Sequence, residues 1–302
     1  MANKTLNVRH KQKIDTASNW TTNNPVLLAG ELGFETDTNK FKLGDGTTAW
    51  NSLPYAVAGS SLPNNVAYFE DASFANMSWA TINEFASDTS LVKTFNVGDE
   101  KTIELSNGET VILVILGISH DDLTAGGKAG LTIGMKDCLA TTYPMNNASS
   151  PVSWENSTMR TTTLPYIFSL LPEDLQSVIK YVDKTTAGEE TSGGSTTYVP
   201  VVTSDRLFLL ARKEIFGVAT GTIWDAVVDE GTQYAYWAEH DTNNDRIKTY
   251  DNNGISTASQ WWTRSVAGGG NEYYYWFVTT SGTWDWWLST DTNERISFAF
   301  CI

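Results

Sequence analysis

The sequence predicts an α+β protein in two parts, a small all-β unit followed by a larger domain of mixed helices and strands. Three observations lead there. Residues 1–58 carry short apolar runs broken at close intervals by Asn, Asp and Gly, the pattern of brief strands joined by tight turns. Further on, Trp79, Ile82, Phe85 and Ala86 recur at helical spacing, while Val97–Leu105 and Thr110–Ile118 read as strands around Asn107-Gly108, a strong hairpin signal. Between the two parts "AVAGSSLPNN", Ala56 to Asn65, lacks charge and is rich in small and turn-forming residues. A linker at 59–65 and a second domain over 66–302 follow.

In the first unit Thr38-Asn39 and Gly44-Asp45-Gly46 suit turns, because Asn and Gly tolerate positive φ. Phe34, Phe41, Leu43 and Trp50 supply a core too small to stand alone, which implies a partner subunit. In the second domain Pro172 and Glu173 open a helix expected over Leu170–Ile179. Thr185–Tyr198 is expected as a loop, Arg206–Ala211 as a buried strand, and strands dominate from there to Ile302.

Composition narrows the function. The net charge is -15, and it is uneven: residues 1–60 carry +1 and residues 61–302 carry -16. Such a surface repels phosphate backbones, so nucleic acid is excluded as an expected partner. The longest apolar run, Val111–Ile118, is too short to span a bilayer, and no charged-then-apolar segment opens the chain, so neither membrane insertion nor Sec-type export is expected. Cys138 and Cys301 exclude a disulfide framework and leave a single bridge open.

"LLAGELGFETDTNKFKLGDGTTAWNSLPY" resembles the N-terminal module of bacteriophage receptor-binding proteins and tail fibres of the major tropism determinant type. The resemblance implies an intertwined homotrimer that joins the phage tail or baseplate through residues 1–58. A second resemblance rests on "MKDCLATTYPMN", "WENSTMR", "LPEDLQSVIKYVDK", "TSDRLFLLARKEIFG", "DEGTQYAYW", "WWTRS" and "FAFCI". Together these are similar to a domain of diversified bacterial and phage surface proteins whose C-terminal part has the C-type lectin fold. Where members of that family continue the Met-Arg motif with Trp-Leu-Asn, this chain has Thr161–Tyr166.

The family places its variable region at the end of the chain, here about 268–295, and "GGGNEYYYWFVTTSGTWDWWLSTDTNERISFAFCI" resembles one written by a diversity-generating retroelement. Randomised adenines in Asn codons yield the residue types at Asn271, Tyr273, Tyr274, Tyr275, Ser281, Asp285, Ser289, Asp291 and Asn293. Trp286 and Trp287 do not fit that codon. They join the candidate ligand-binding set on physical grounds: Tyr and Trp bring large contact area at low rotamer cost, and successive rings between Gly-rich turns cannot all point inward. Trp261, Trp262, Phe277, Trp284, Phe298 and Phe300 are expected in the core.

Catalysis finds little support. The chain has three histidines, and the run His120-Asp121-Asp122 carries no nucleophile signature and reads as a solvated loop. Cys138 and Cys301 are expected as buried, inert thiols. "DTNND", Asp241 to Asp245, begins like a calcium loop, but Arg246 stands where Gly is needed and Asn252 where Glu is needed. No cofactor or metal is expected. The N-x-S/T sequons, at Asn3, Asn19, Asn76, Asn147 and Asn156, have no force without a secretory signal. The expectation is therefore a non-enzymatic adhesion protein at the phage tail tip that binds a host cell-surface protein or glycan. The alternative is a tail protein of fixed specificity that binds or cleaves glycans.

Overall fold

The structure is a computed structural model that describes residues 13–38, 40–55, 73–89, 91–147, 152–192, 195–217, 228–267 and 274–302. The chain divides into two units, residues 1–70 and 71–302. The linker expected at 59–65 lies outside the described residues.

In the first unit β1 (Lys13–Asp15) pairs in parallel with β2 (Leu32–Glu35), which pairs antiparallel with β3 (Phe41–Leu43). Between β1 and β2 lies a helix, α1 (Ala17–Asn23), so the unit is not all-β as expected. Its signals are local: the Thr16 hydroxyl accepts the Asn19 N–H, and Asn24 ends the helix at φ 41°. Trp20 stacks on Trp50 at 4.2 Å, and with Leu27 they form a buried cluster. The Asp45 carboxylate accepts the Thr47 and Thr48 N–H groups at 2.9 and 2.7 Å, closing the expected turn. Gly44 is required beside it, since a Cβ there would lie 2.3 Å from the Leu28 carbonyl oxygen.

The second unit begins with α2 (Trp79–Ser87), capped by Ser78, whose hydroxyl accepts the Thr81 N–H. The main sheet is antiparallel. It is built from β4 (Glu100–Glu104), β5 (Thr110–Ile118) and β6 (Leu131–Met135), and the C-terminal strand lies between β6 and a short strand at Leu207–Leu209. The expected Asn107-Gly108 hairpin joins β4 to β5. Every residue of β6 is buried, as a strand with both faces covered requires.

The helix expected over Leu170–Ile179 is instead two: α3 (Leu164–Leu170) and α4 (Glu173–Gln176). Pro172 disfavours helical backbone at Leu171, which is extended at ψ 153°. Of residues 185–198, expected as a loop, 185–192 and 195–198 belong to two paired strands, β7 (Val182–Ser192) and β8 (Ser195–Asp205). Their Thr and Val residues suit strands, but the side chains they bury include the polar Lys184, Thr186, Thr203 and Asp205, so no apolar alternation marks them in the sequence. After β9 (Leu207–Leu209) come α5 (Arg212–Phe216), α6 (Ala235–Glu239) and the ribbon of β10 (Lys248–Asn252) and β11 (Ile255–Ser259). A second sheet follows, ordered β12 (Trp261–Val266), β13 (Tyr274–Val278) and β14 (Trp284–Leu288), and β15 (Phe298–Cys301) completes the first. Trp79 of α2 meets Phe300 of β15 edge to face at 6.3 Å, tying the first helix to the last strand. Cys138 and Cys301 are both buried free thiols, and burial pushes the Cys138 thiol up to about 12.

Candidate functional site: an aromatic hairpin at a sheet edge

The hairpin of β13 and β14 turns through Thr279–Thr283, where Thr279 N–H donates to the Thr283 carbonyl at 2.8 Å and Gly282 N–H to the Thr279 carbonyl at 2.9 Å. Gly282 has φ 73°, and a Cβ there would lie 1.6 Å from the Asn243 carbonyl oxygen, so this position admits no side chain. The turn fixes the register Tyr274↔Leu288, Tyr275↔Trp287, Trp276↔Trp286, Phe277↔Asp285 and Val278↔Trp284. Directly opposed residues share a face. Tyr274 and Trp276 therefore stand with Trp284, Trp286 and Leu288, while Tyr275 and Phe277 stand with Asp285 and Trp287.

On the first face the rings interlock diagonally: Tyr274 meets Trp286 edge to face at 4.9 Å, and Trp276 meets Trp284 in the same way at 5.1 Å. The Arg212 guanidinium lies 4.4 Å from the Trp276 ring centre and 4.8 Å from that of Trp284, a cation–π contact that supports both. On the second face Tyr275 and Phe277 enter the core, but their partners on β14 reach past it. As the edge strand, β14 leaves Trp284 37% exposed, Trp287 50% and Leu288 41%. The exposure falls on both faces of the edge strand, Trp284 and Leu288 on one and Trp287 with the exposed carboxylate of Asp285 on the other. So many large apolar groups in water on one short strand are unusual on a protein surface that nothing covers.

The sequence-derived set divides on this geometry. Asn271 and Tyr273 lie outside the described residues. Tyr274 and Trp286 are half-buried, Trp287 and Asp285 exposed, and Ser281 is exposed at the turn. Asp291 is half-buried and Asn293 exposed, and the Asp291 carboxylate accepts the Asn293 N–H at 2.8 Å. Two members are corrected. Tyr275 is buried because strand alternation sends it inward, where its hydroxyl donates to the Val152 carbonyl at 2.7 Å. Ser289 is buried because the chain turns into the body there, its carbonyl accepting the Asn146 N–H at 2.9 Å. In the opposite direction Trp284, expected in the core, belongs to the exposed set. Leu288 completes that set, the buried Trp276 and Arg212 support it from beneath, and the missing alternation of "WDWWL" was the signal for an overhanging edge strand.

The run His120-Asp121-Asp122 is not the solvated loop expected. Asp121 is buried and takes the Lys184 ammonium, the Thr132 hydroxyl and the Tyr234 hydroxyl. Lys184 also reaches Glu214 at 3.1 Å, and Arg264 grips Glu214 with two bonds of 2.6 and 2.8 Å. Burial pushes the Asp121 and Glu214 carboxyls up. The cations outweigh it, Lys184 at Asp121 and Arg264 with Lys184 at Glu214, and hold both below the usual carboxylate range. Such permanently ionised, mutually paired groups brace the fold and leave no proton to exchange near neutral pH. In "DTNND" the Asp241 carboxylate pairs with Arg246 and that of Asp245 accepts from Thr242. Among the described residues no three potential metal ligands converge.

An α+β domain that closes its core and then projects an aromatic hairpin from the edge of its second sheet is thus the setting for the comparisons. Residues 129–302 match the family described as a domain of unknown function, DUF6273, and the chain belongs to that family. Residues 11–48 match the major tropism determinant N-terminal domain. No curated protein and no solved structure matches significantly.

Proposed function

We propose that this protein is a phage receptor-binding protein that attaches to a host cell-surface protein or glycan through the aromatic hairpin. The observation that carries the reading is the exposure of Trp284, Trp287 and Leu288 on one edge strand, next to a chain start that matches the major tropism determinant N-terminal domain. Aromatic side chains on a rigid hairpin offer contact area with little entropy to lose, as hot-spot residues of interfaces do. The reading includes the C-type lectin fold for the second unit, diversification of the hairpin positions, a homotrimer assembled and tail-joined through residues 1–58, and binding without turnover. Exposed Ile14, Val26 and Leu28 around a small core support self-association of the first unit. Three copies on one cell convert a weak contact into a firm grip, because later contacts form at high effective concentration.

The test is a titration of the labelled full chain onto a panel of bacteria, with Trp284→Ser/Trp287→Ser beside the wild type. Binding to a strain that the double variant loses supports the reading. Undiminished binding by the double variant puts the attachment surface elsewhere. An adenine-rich near-copy of the codons for 268–302 beside a reverse transcriptase gene is the expected sign of diversification, and its absence favours fixed specificity.

A further inference from the structure

A cavity to which the aromatic hairpin contributes no lining residue lies between the start of α3 and the junction of β8 with β9. It encloses about 310 Å³, at the lower end of the range for small-molecule sites and enough for one ring-sized ligand. One wall is formed by a π-helical turn at Met159–Thr163, in which the Leu164 N–H reaches back to the Met159 carbonyl. Such turns are rare and occur often at functional sites. Here the turn carries Arg160 and Thr161 into the cavity lining.

Two arginines and one aspartate line this cavity, in a chain whose net charge is -15. The aspartate is already occupied: Asp205 accepts from Arg160 Nε at 2.6 Å, from the Trp154 indole at 3.1 Å and from the Thr203 hydroxyl at 2.7 Å. Arg160 is occupied too, its other nitrogens bonding the Glu155 and Ser204 carbonyls at 3.0 and 3.3 Å. Arg206 is different. Its guanidinium lies 3.9 Å from the centre of the Phe168 ring and 5.2 Å from that of Tyr181, and among the described residues it makes no ion pair or side-chain hydrogen bond. The rings hold the guanidinium in place while its planar fork of donors stays uncommitted, a geometry suited to a carboxylate.

We propose that this cavity binds a carboxylate-bearing monosaccharide unit, such as a uronic acid, with the carboxylate on Arg206. Thr161 and Ser204 set hydroxyl groups in the same lining, and exposed Tyr181 presents an aromatic wall to the C–H groups of a sugar ring. The net positive charge of the lining selects an acidic sugar over a neutral one. The site is separate from the hairpin and does not depend on the function proposed for it.

The experiment titrates the full chain with glucuronate, methyl glucoside, acetate and inorganic phosphate by calorimetry and saturation-transfer NMR, with melting curves on every variant. Glucuronate is expected to bind with a Kd on the order of 1 mM, at least about tenfold more tightly than the other three. Arg206→Gln is expected to weaken it by about tenfold or more, as loss of a charged hydrogen-bond pair does. Thr161→Trp, which keeps Arg206 and fills the cavity, is expected to abolish it. Failure of glucuronate to bind, equal binding of acetate or phosphate, equal binding of methyl glucoside, or full binding by a folded Arg206→Gln variant would each overturn the proposal. If Arg206→Gln does not fold, Thr161→Trp decides between the same outcomes.

Discussion

Trp276 and Trp284 meet edge to face at 5.1 Å across one hairpin, yet Trp276 is 3% exposed and Trp284 37%. The pair marks the line where the body of the domain ends. Inside it, rings are covered by neighbours and by the Arg212 guanidinium. One strand further out, rings of the same type face water because, among the described residues, no strand pairs beyond β14. Stability and recognition are therefore expected to separate along this line.

The first prediction puts numbers on that separation. Trp287→Ser is expected to change folding stability by only about 0.5 kcal/mol, and Trp284→Ser by about 0.5–1.5 kcal/mol, since it also loses the ring contact with Trp276. Host-cell binding is expected to weaken by about 1–4 kcal/mol at the stronger position. Trp262→Ala and Phe300→Ala, both fully buried, are expected to lower stability by about 3–5 kcal/mol. Melting curves and cell-binding titrations on the same four variants check both halves. If the Ser variants melt as early as the Ala variants, the hairpin rings are core.

Tyr275 sits among residues that a diversified surface would vary, yet its hydroxyl is tied to the Val152 carbonyl. Tyr275→Phe is expected to cost about 1 kcal/mol, the net worth of one buried hydrogen bond, and Tyr275→Ser about 3–5 kcal/mol through a cavity. Urea denaturation measures both. A Ser variant as stable as the wild type would return Tyr275 to the surface set.

What could be read from the residues alone follows from how local the signals are. Asn107-Gly108 and the spacing of Trp79, Ile82 and Phe85 act within a few residues, and the β4–β5 hairpin and α2 stand where expected. The first unit's helix was legible in Thr16 and Asn24 but carries one buried residue, Trp20, too few for a periodic stripe. Which rings of the tail face outward depends on register, and register depends on the Gly282 turn packed against Asn243, 39 residues away in sequence. The buried ion cluster was invisible for the same reason: Asp121, Lys184, Glu214 and Arg264 meet only once four separate elements are folded.

Two carboxyls give stability a pH dependence. Burial pushes Glu230 and Glu294 up to about 7, opposed at Glu230 by Arg264 and reinforced at Glu294 by Asp291. With folded values above the unfolded one, the native state binds more protons between roughly pH 4.5 and 7, so stability falls as pH rises through that window. Asp121 and Glu214, shifted down, act only below it. Glu294→Gln is expected to flatten the decline and to be the more stable protein at pH 8, by on the order of 1–3 kcal/mol. Denaturation curves at pH 5 and pH 8 decide. An unchanged slope in the variant would remove Glu294 as a contributor.

Among its described residues the first unit buries a small apolar cluster of Trp20, Leu27 and Trp50, with Leu53 buried besides, while exposing Ile14 and Leu28. Its apolar surface is expected to be covered by copies of itself, and light scattering on the full chain at micromolar concentration is expected to give three times the 33.3 kDa mass. Deletion of residues 1–58 is expected to leave a folded monomer or a weaker oligomer, since the second unit has its own large core. A monomeric full chain would remove the avidity on which firm attachment rests.

Lys184 is the link between two buried acids, bonded to Asp121, Glu214 and the Tyr234 hydroxyl at the centre of the second unit. Lys184→Met keeps the aliphatic stem but leaves Asp121 without its cation, whereas Glu214 retains Arg264. Breaking a buried pair from one side is expected to cost about 3–5 kcal/mol, because the remaining charge stays desolvated. Removing that charge as well should return part of the loss, so Lys184→Met/Asp121→Asn is expected to be more stable than Lys184→Met alone by about 1–3 kcal/mol. The cycle is read by urea denaturation at pH 7, alongside cell binding. Strictly additive losses would mean that the two groups do not interact. Loss of binding in the folded double variant would give the cluster a role in recognition and not only in holding the scaffold on which the hairpin stands.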